Sequence, residues 1–299
     1  MADLDHLLQR TSRTFALTIP ALPEPTRREV TLAYLLFRLA DTFEDAARWP
    51  RGDRLVALDA FVALLTPPEP DAPRVRALTD AWVTARPVDH DGYLELLAET
   101  PAVLAASYAL PVPRRDIVLL HARRTAEGMA RVVTRGSARG DLHLTDLADL
   151  RAYCYVVAGI VGELLTDLFV AETPRLAAAV LRDNAVAFGE GLQLVNILKD
   201  ARDDALEGRV YLPTSLPRAE VFALAREDLT LARGYVLALQ DHGAPRGVVA
   251  FCAIPVLLAV ATLDAVERHG PGAKVPRDAV LAMVRALDER LDRALPALP

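Results

Sequence analysis

The chain has 299 residues, 52% of them hydrophobic and 25% charged, with a formal net charge of −6. That is enough apolar material for a large core, and an acidic balance without a basic run excludes a nucleic-acid backbone as an expected partner. Cys154 and Cys252, both inside apolar stretches, form neither a disulfide framework nor a zinc site, and the acidic start MADLDHLLQR lacks an apolar signal core, so a reducing, cytoplasmic location is expected.

Ala, Leu, Arg and Glu dominate, apolar residues return every three or four positions, and nothing alternates over a strand length, which predicts an all-α protein. Pro/Gly punctuation at 20–25, 67–73, 87–92, 111–113, 135–140, 208–217, 243–247 and 270–276 sets the breaks. None is long enough for an interdomain linker, so a single domain over residues 1–299 is expected. Four predicted helices have unusual content. The first, Thr26–Ala47, ends in the acidic cluster DTFED; the second, Leu147–Phe169, contains YCYVVAGIVGELL. The third, Leu176–Leu206, carries GEGLQLVNILKDARDD and runs into the loop EGRVYLP; the fourth, Val248–Glu267, contains FCAIPVLLAVATL. The apolar run Tyr155–Val170 is interrupted by Glu163 and Asp167, and Ala250–Leu263 is short and contains Pro255. Both fall below the roughly 20 residues of a membrane span, so they are read as buried helices and no transmembrane segment is expected.

Asp41, Glu44 and Asp45 are spaced i, i+3, i+4, and Asn196, Asp200 and Asp204 are spaced i, i+4, i+8. Each set therefore lies on one helix face. The residues beside them are strongly apolar: Leu35, Leu36 and Leu39 on one helix, Leu192, Val195 and Leu198 on the other. Carboxylates stacked at the edge of a core repel one another and lose hydration unless a positive charge joins them. Mg²⁺ takes oxygen ligands and shares a few carboxylates with substrate phosphates. Arg38, Lys199 and Arg209, with Tyr211 close behind, place cations near both sets. Acids for metal and bases for phosphate oxygens together suit diphosphate departure. The plainer reading is a solvated helix face with i,i+4 ion pairs. Gly159, Gly162, Gly189 and Gly191 could thin two helices around an apolar cavity, or could serve close helix packing.

At these residues the sequence resembles the squalene/phytoene synthase family, and its squalene synthase branch more than its phytoene synthase branch. The resemblance runs from about Leu7 to about Val284 and is poor between Trp49 and Arg114. Its pieces are TSRTFALTIPAL, YLLFRLADTFED, ARRTAEGMA, YCYVVAGIVGELL, LQLVNILKDARDD with GRVYLP, and FCAIPVLLAVATL. It implies an isoprenoid-synthase-type helical bundle with a central apolar cavity. Asp41 and Asp45, with Glu44 in an extra acidic position, match the family's first aspartate motif, and Asn196, Asp200 and Asp204 match the second; both bind diphosphate through Mg²⁺. Ser12, Arg13, Arg38, Gln193, Lys199, Arg209 and Tyr211 fall where the family contacts diphosphate oxygens. Tyr34 and Tyr153 fall on tyrosines of the reaction centre, and Tyr153 would help to manage a proton. Phe15, Ala158, Val161, Gly162, Leu165 and Ala185 fall on the walls that accept the isoprenoid tails.

The reaction so implied is head-to-head coupling of two farnesyl diphosphates through presqualene diphosphate to squalene, the second step using NADPH. No strand–GxGxxG–helix fingerprint is present; Lys274 and Arg277 fall in the region that squalene synthases use for the nicotinamide cofactor, and also read as solvated loop charges. Dehydrosqualene or phytoene formation without NADPH, prenyl transfer to an aromatic acceptor, and a non-catalytic scaffold are the alternatives. The scaffold reading conflicts with two complete acidic motifs. Eukaryotic squalene synthases carry a C-terminal membrane anchor; this sequence ends DERLDRALPALP, so the expectation is either peripheral membrane contact or hand-over of the product, and no amphipathic basic helix marks the former.

Overall fold

A computed structural model describes residues 3–12, 14–46, 48–137, 141–176 and 179–299. It is almost wholly helical, as expected. Its contacts cluster into two compact units, residues 1–20 with 24–140, and 21–23 with 141–299.

The first unit contains α1 (Leu4–Thr11), α2 (Phe15–Thr18), α3 (Thr26–Glu44), α4 (Arg51–Leu64), α5 (Ala72–Ala85), α6 (Asp91–Ala98), α7 (Thr100–Tyr108) and α8 (Val112–Arg135). Its axis is α3, which packs against α1, α4, α6, α7 and α8. Every residue from Val30 to Phe37 of α3 is buried, and Leu39, Ala40, Thr42 and Phe43 follow. A helix apolar on all sides must be enclosed on all sides. Local signals set the surrounding starts. Asp3 accepts from the His6 N–H, and Asp71 from the Arg74 N–H, each satisfying an orphan donor of a first turn. Helix α3 ends three residues earlier than its pattern predicts. Asp45 is its C-cap. Arg54, buried, closes that end by donating from Nη1 to the Glu44 carbonyl and from Nε to the Trp49 carbonyl, both at 3.2 Å.

The second unit contains β1 (Leu142–His143), α9 (Leu147–Cys154), a π-helical segment (Tyr155–Gly159), α10 (Ile160–Glu172), α11 (Ala179–Leu206), β2 (Arg209–Val210), α12 (Arg218–Asp241), α13 (Arg246–His269) and α14 (Arg277–Asp292). Here α11 is central, packing against α9, α10, α12 and α13. The four glycines named above serve close packing. A Cβ on Gly162 would overlap the Ala185 carbonyl, one on Gly189 the Ala158 carbonyl, and Gly191 lies tight against Asp228. A short parallel ladder β1–β2, not expected from the sequence pattern, pairs Leu142 with Arg209 and His143 with Val210.

The helical rod Leu147–Glu172 and helix α13 are, at 26 and 24 residues, long and apolar enough to cross a membrane by length and composition. Both helices outrun the apolar runs from which their lengths were judged, and α13 continues through Pro255. In both, 56% of the apolar window is buried inside the protein, which is how core helices also satisfy the same criterion.

Candidate active site

In the first unit, the DTFED carboxylates sit at the carboxyl end of α3. Asp41 and Glu44 lie in its last turn and Asp45 at the cap. A helix carries partial negative charge at this end, so three acids here add to an already unfavourable potential. No basic residue occupies that turn. One turn back, Arg38 pairs with Asp41, Nη1 to Oδ2 at 3.0 Å. Burial dominates nonetheless: it pushes the Asp41 carboxyl up to about 6, Asp45 adding to the rise and Arg38 only partly opposing it. Glu44 is buried beside it.

Arg38 is held by aromatic faces. Its guanidinium carbon lies 5.7 Å from the Tyr34 ring centroid and 5.2 Å from that of Tyr93. Its Nε is buried without a hydrogen-bond partner among the described residues, a donor placed for an external acceptor. The Tyr34 hydroxyl donates to the Thr11 carbonyl at 2.8 Å, and the Tyr34 ring packs on Phe15 at 5.4 Å. Its phenolic proton is thus committed to the backbone, which suits an orienting wall better than an acid or base. Ser12 accepts the Phe15 N–H at 2.9 Å and so starts α2. Arg13 lies outside the described residues. Tyr93 is a residue that sequence reasoning missed. Burial, acting against Arg38, holds its phenol above the ordinary range and therefore neutral.

In the second unit, Asn196, Asp200 and Asp204 rise along one face of α11, Asn196 exposed and the two acids half-buried. Lys199 pairs with Asp200 at 3.1 Å, and Gln193 is half-buried one turn before Asn196–Ile197. Arg209 on β2 pairs with Glu207. The ladder fixes Arg209 and Tyr211, since the Leu142 N–H donates to the Gly208 carbonyl and the Leu144 N–H to that of Val210. Tyr211 then stacks on Tyr153, rings 4.6 Å apart and 25° from parallel, both buried. Leu165 and Ala185 are buried, the latter with its carbonyl against Gly162, while Val161 and Ala158 are half-buried. Lys274 and Arg277 are exposed on and just beyond the α13–α14 loop, which is tied to α11 by the Gly272 N–H donating to the Lys199 carbonyl at 2.7 Å.

Sequence reasoning also missed a buried charge cluster. From α9, Arg151 reaches Asp228 on α12 through both terminal nitrogens and Glu190 on α11 at 2.7 Å. Desolvation raises both carboxyls despite the guanidinium. The signal was Glu190 inside the glycine-rich run of an apolar helix, a charge that needs a partner.

Among the described residues no three His, Cys, Asp or Glu side chains converge into a metal cage. The donors are all oxygen, and the crowded carboxyl Asp41 gains from an added cation. That set fits Mg²⁺, which binds through one or two carboxylates plus substrate phosphates rather than in a closed protein cage.

A family described as "Squalene/phytoene synthase" matches residues 8–223. The chain belongs to that family. The squalene synthase of Schizosaccharomyces pombe is 28% identical over 289 residues, covering 88% of this chain and 59% of that protein. Human squalene synthase is 28% identical over 281 residues, covering 86% and 61%. Among solved structures, TcSQS in complex with the ligand E5700 superposes with a TM-score of 0.73 at 26% identity, covering 94% of this chain and 84% of that one. The chain spans about three-fifths of the length of these curated relatives. The family match takes in both acidic motifs, Tyr34, Arg38, Tyr153 and Arg209–Tyr211, and stops short of Lys274 and Arg277.

Proposed function

We propose that this squalene/phytoene synthase family member is a Mg²⁺-dependent prenyltransferase that ionises farnesyl diphosphate and couples two molecules of it head-to-head, through presqualene diphosphate, to squalene. The observation that carries the reading is the end of α3, where a carboxyl pushed up to about 6 lies 3.0 Å from an arginine whose buried Nε lacks a partner. An acid short of a cation and a cation short of an acceptor are together complementary to a metal diphosphate.

Asp41, Glu44 and Asp45 are the proposed metal-binding groups of one motif, and Asn196, Asp200 and Asp204 those of the other. Bound Mg²⁺ would neutralise charge on the departing diphosphate. Arg38, Lys199 and Arg209 would donate to its oxygens, with Ser12, Arg13, Gln193 and Tyr211 as further contacts. Fixed donors of this kind cost no reorganisation as charge develops on the leaving group. Phe15, Val161, Leu165 and Ala185 would contribute apolar surface to the isoprenoid tails and exclude water, which would otherwise trap an allylic cation. Tyr153, its ring fixed against Tyr211, would relay the proton lost when the cyclopropane closes, passing its own phenolic proton to the released diphosphate, the eventual base, as it takes up the one leaving carbon. Conversion of presqualene diphosphate to squalene consumes a hydride from NADPH, for which Lys274 and Arg277 are the candidate phosphate-binding cations.

The test is incubation of the purified chain with Mg²⁺ and farnesyl diphosphate, with and without NADPH, and identification of the products. Squalene with NADPH and presqualene diphosphate without it is the expected result. Dehydrosqualene as the sole product in both would remove the reductive step. No turnover of farnesyl diphosphate would overturn the reading.

A further inference from the structure

Tyr93 lies on α6, between the motifs read from the sequence and inside the matched residues 8–223, and its ring lies against Arg38. Five groups in the first unit are in contact in sequence: His90 stacks on Tyr93 (4.1 Å, 27°), the Arg38 guanidinium carbon lies 5.2 Å from the Tyr93 centroid and 5.7 Å from that of Tyr34, and Tyr34 is tilted against Phe15 (5.4 Å, 49°). Both tyrosines are braced on α1. The Tyr34 hydroxyl donates to the Thr11 carbonyl. Helix α6 is clamped to the same helix, because Glu95 receives His6 at 2.8 Å and Arg10 at 3.1 Å. Gly92 abuts the Arg10 carbonyl so closely that no side chain could stand there. Tyr93 is further fixed by His90, whose Nδ1 accepts its N–H at 3.3 Å. The two rings therefore both lie within cation–π reach of the guanidinium, each held to α1 by its own contacts.

We infer that Tyr93 is a positioning residue of the diphosphate site: its ring face holds the Arg38 plane so that the buried, unpartnered Nε stays turned toward phosphate oxygens. This rests on the function proposed above. An arginine has four rotatable side-chain torsions, and fixing them on binding would weaken its hold on the anion. Two rings in contact with it fix them beforehand and leave the planar fork free to donate. Asp41 and the Tyr34 hydroxyl both bond the guanidinium from α3 itself; Tyr93 is the contact that reaches it from a second helix.

The test uses the full chain, with Mg²⁺ and inorganic pyrophosphate as the calorimetric probe and farnesyl diphosphate for kinetics. Tyr93→Leu and Tyr93→Met remove the π face at similar bulk; Tyr93→Phe restores it without the hydroxyl. The Leu and Met variants are expected to weaken Mg²⁺–pyrophosphate binding and raise KM by about 3- to 30-fold, the span of a partly desolvated cation–π contact. Their kcat should change less, and Tyr93→Phe should return affinity to within about threefold of wild type. A merely structural role would lower thermal stability without this KM-selective pattern or its rescue. Wild-type pyrophosphate affinity in Tyr93→Leu or Tyr93→Met overturns the inference. Should neither variant fold, Tyr93→Phe decides alone, because loss of affinity there would show that the ring face is not what matters. Absence of both pyrophosphate binding and turnover in the wild type would instead sink the proposed function itself.

Discussion

Asp41→Asn should make the metal-free protein more stable at neutral pH while abolishing its activity. The Asp41 carboxyl rises from its ordinary 3.8 to about 6 in the folded chain, burial outweighing the ion pair with Arg38. A carboxyl with a raised pKa holds its proton more tightly folded than unfolded, so stability falls as pH rises from about 4 to about 6 and stays reduced above that. At about 1.36 kcal/mol per pH unit the full cost of ionised Asp41 at pH 7.5 is about 3 kcal/mol. Its side chain keeps 30% of its surface, and screening reduces the figure to about 1–2 kcal/mol. Asn resembles the protonated acid in size and charge, so the variant should gain that amount, or about 2–5 °C in Tm. Urea denaturation in EDTA at pH 7.5 and at pH 4.5 would measure it, the gain being present at the first and largely gone at the second. Adding Mg²⁺ with pyrophosphate should stabilise wild type and leave the variant little changed. A variant less stable than wild type at pH 7.5 in EDTA, or a difference independent of pH, would refute the reasoning.

Asp200→Ala should abolish turnover of farnesyl diphosphate while leaving the helical circular dichroism spectrum intact; retained activity would remove the second motif from the metal assignment. Gly162→Ala forces a methyl into the Ala185 carbonyl and should destabilise by about 1–3 kcal/mol, read from the urea midpoint. Arg151→Met strands Glu190 and Asp228, both buried, and should cost about 2–3 kcal/mol at pH 7.5 once the arginine's one-third exposure is allowed for. Because burial already raises both carboxyls, protonation relieves the stranded charges at lower pH. The same denaturation curves at pH 5 should show a smaller loss.

The acidic motifs were legible because a one-turn spacing beside apolar neighbours is a local pattern. Asp41 with Glu44, and Asn196 with Asp200, occupy the elements expected of them. Less was legible where the deciding contact lies far along the chain. Arg54 caps α3 from ten residues away, and only the folded chain shows that Asp45 ends the helix rather than continuing it. The β1–β2 ladder is two residues long, too short for any periodicity. The glycines of YCYVVAGIVGELL and GEGLQLV left cavity and packing open; backbone approach at Ala158 and Ala185 decides for packing. Tyr93 gave no signal at all. Its partner Arg38 is 55 residues away in sequence (93 − 38), and none of the motifs read from the sequence includes it.

The position of DTFED on α3 adds an argument that spacing alone could not make. Were these acids in the first turn, the helix dipole would favour them and their presence would need no ligand. They lie at the carboxyl end, where the dipole opposes them, burial raises the Asp41 carboxyl, and no basic residue occupies the last turn. A merely structural acidic face would be expected at the other end of the helix or in full solvent. The arrangement is therefore one that the folded chain tolerates at a cost in stability, and that an added cation relieves. The same reasoning gives Arg38 its place, since one arginine held by two rings offsets part of the cost without filling the position that the metal and its diphosphate would take.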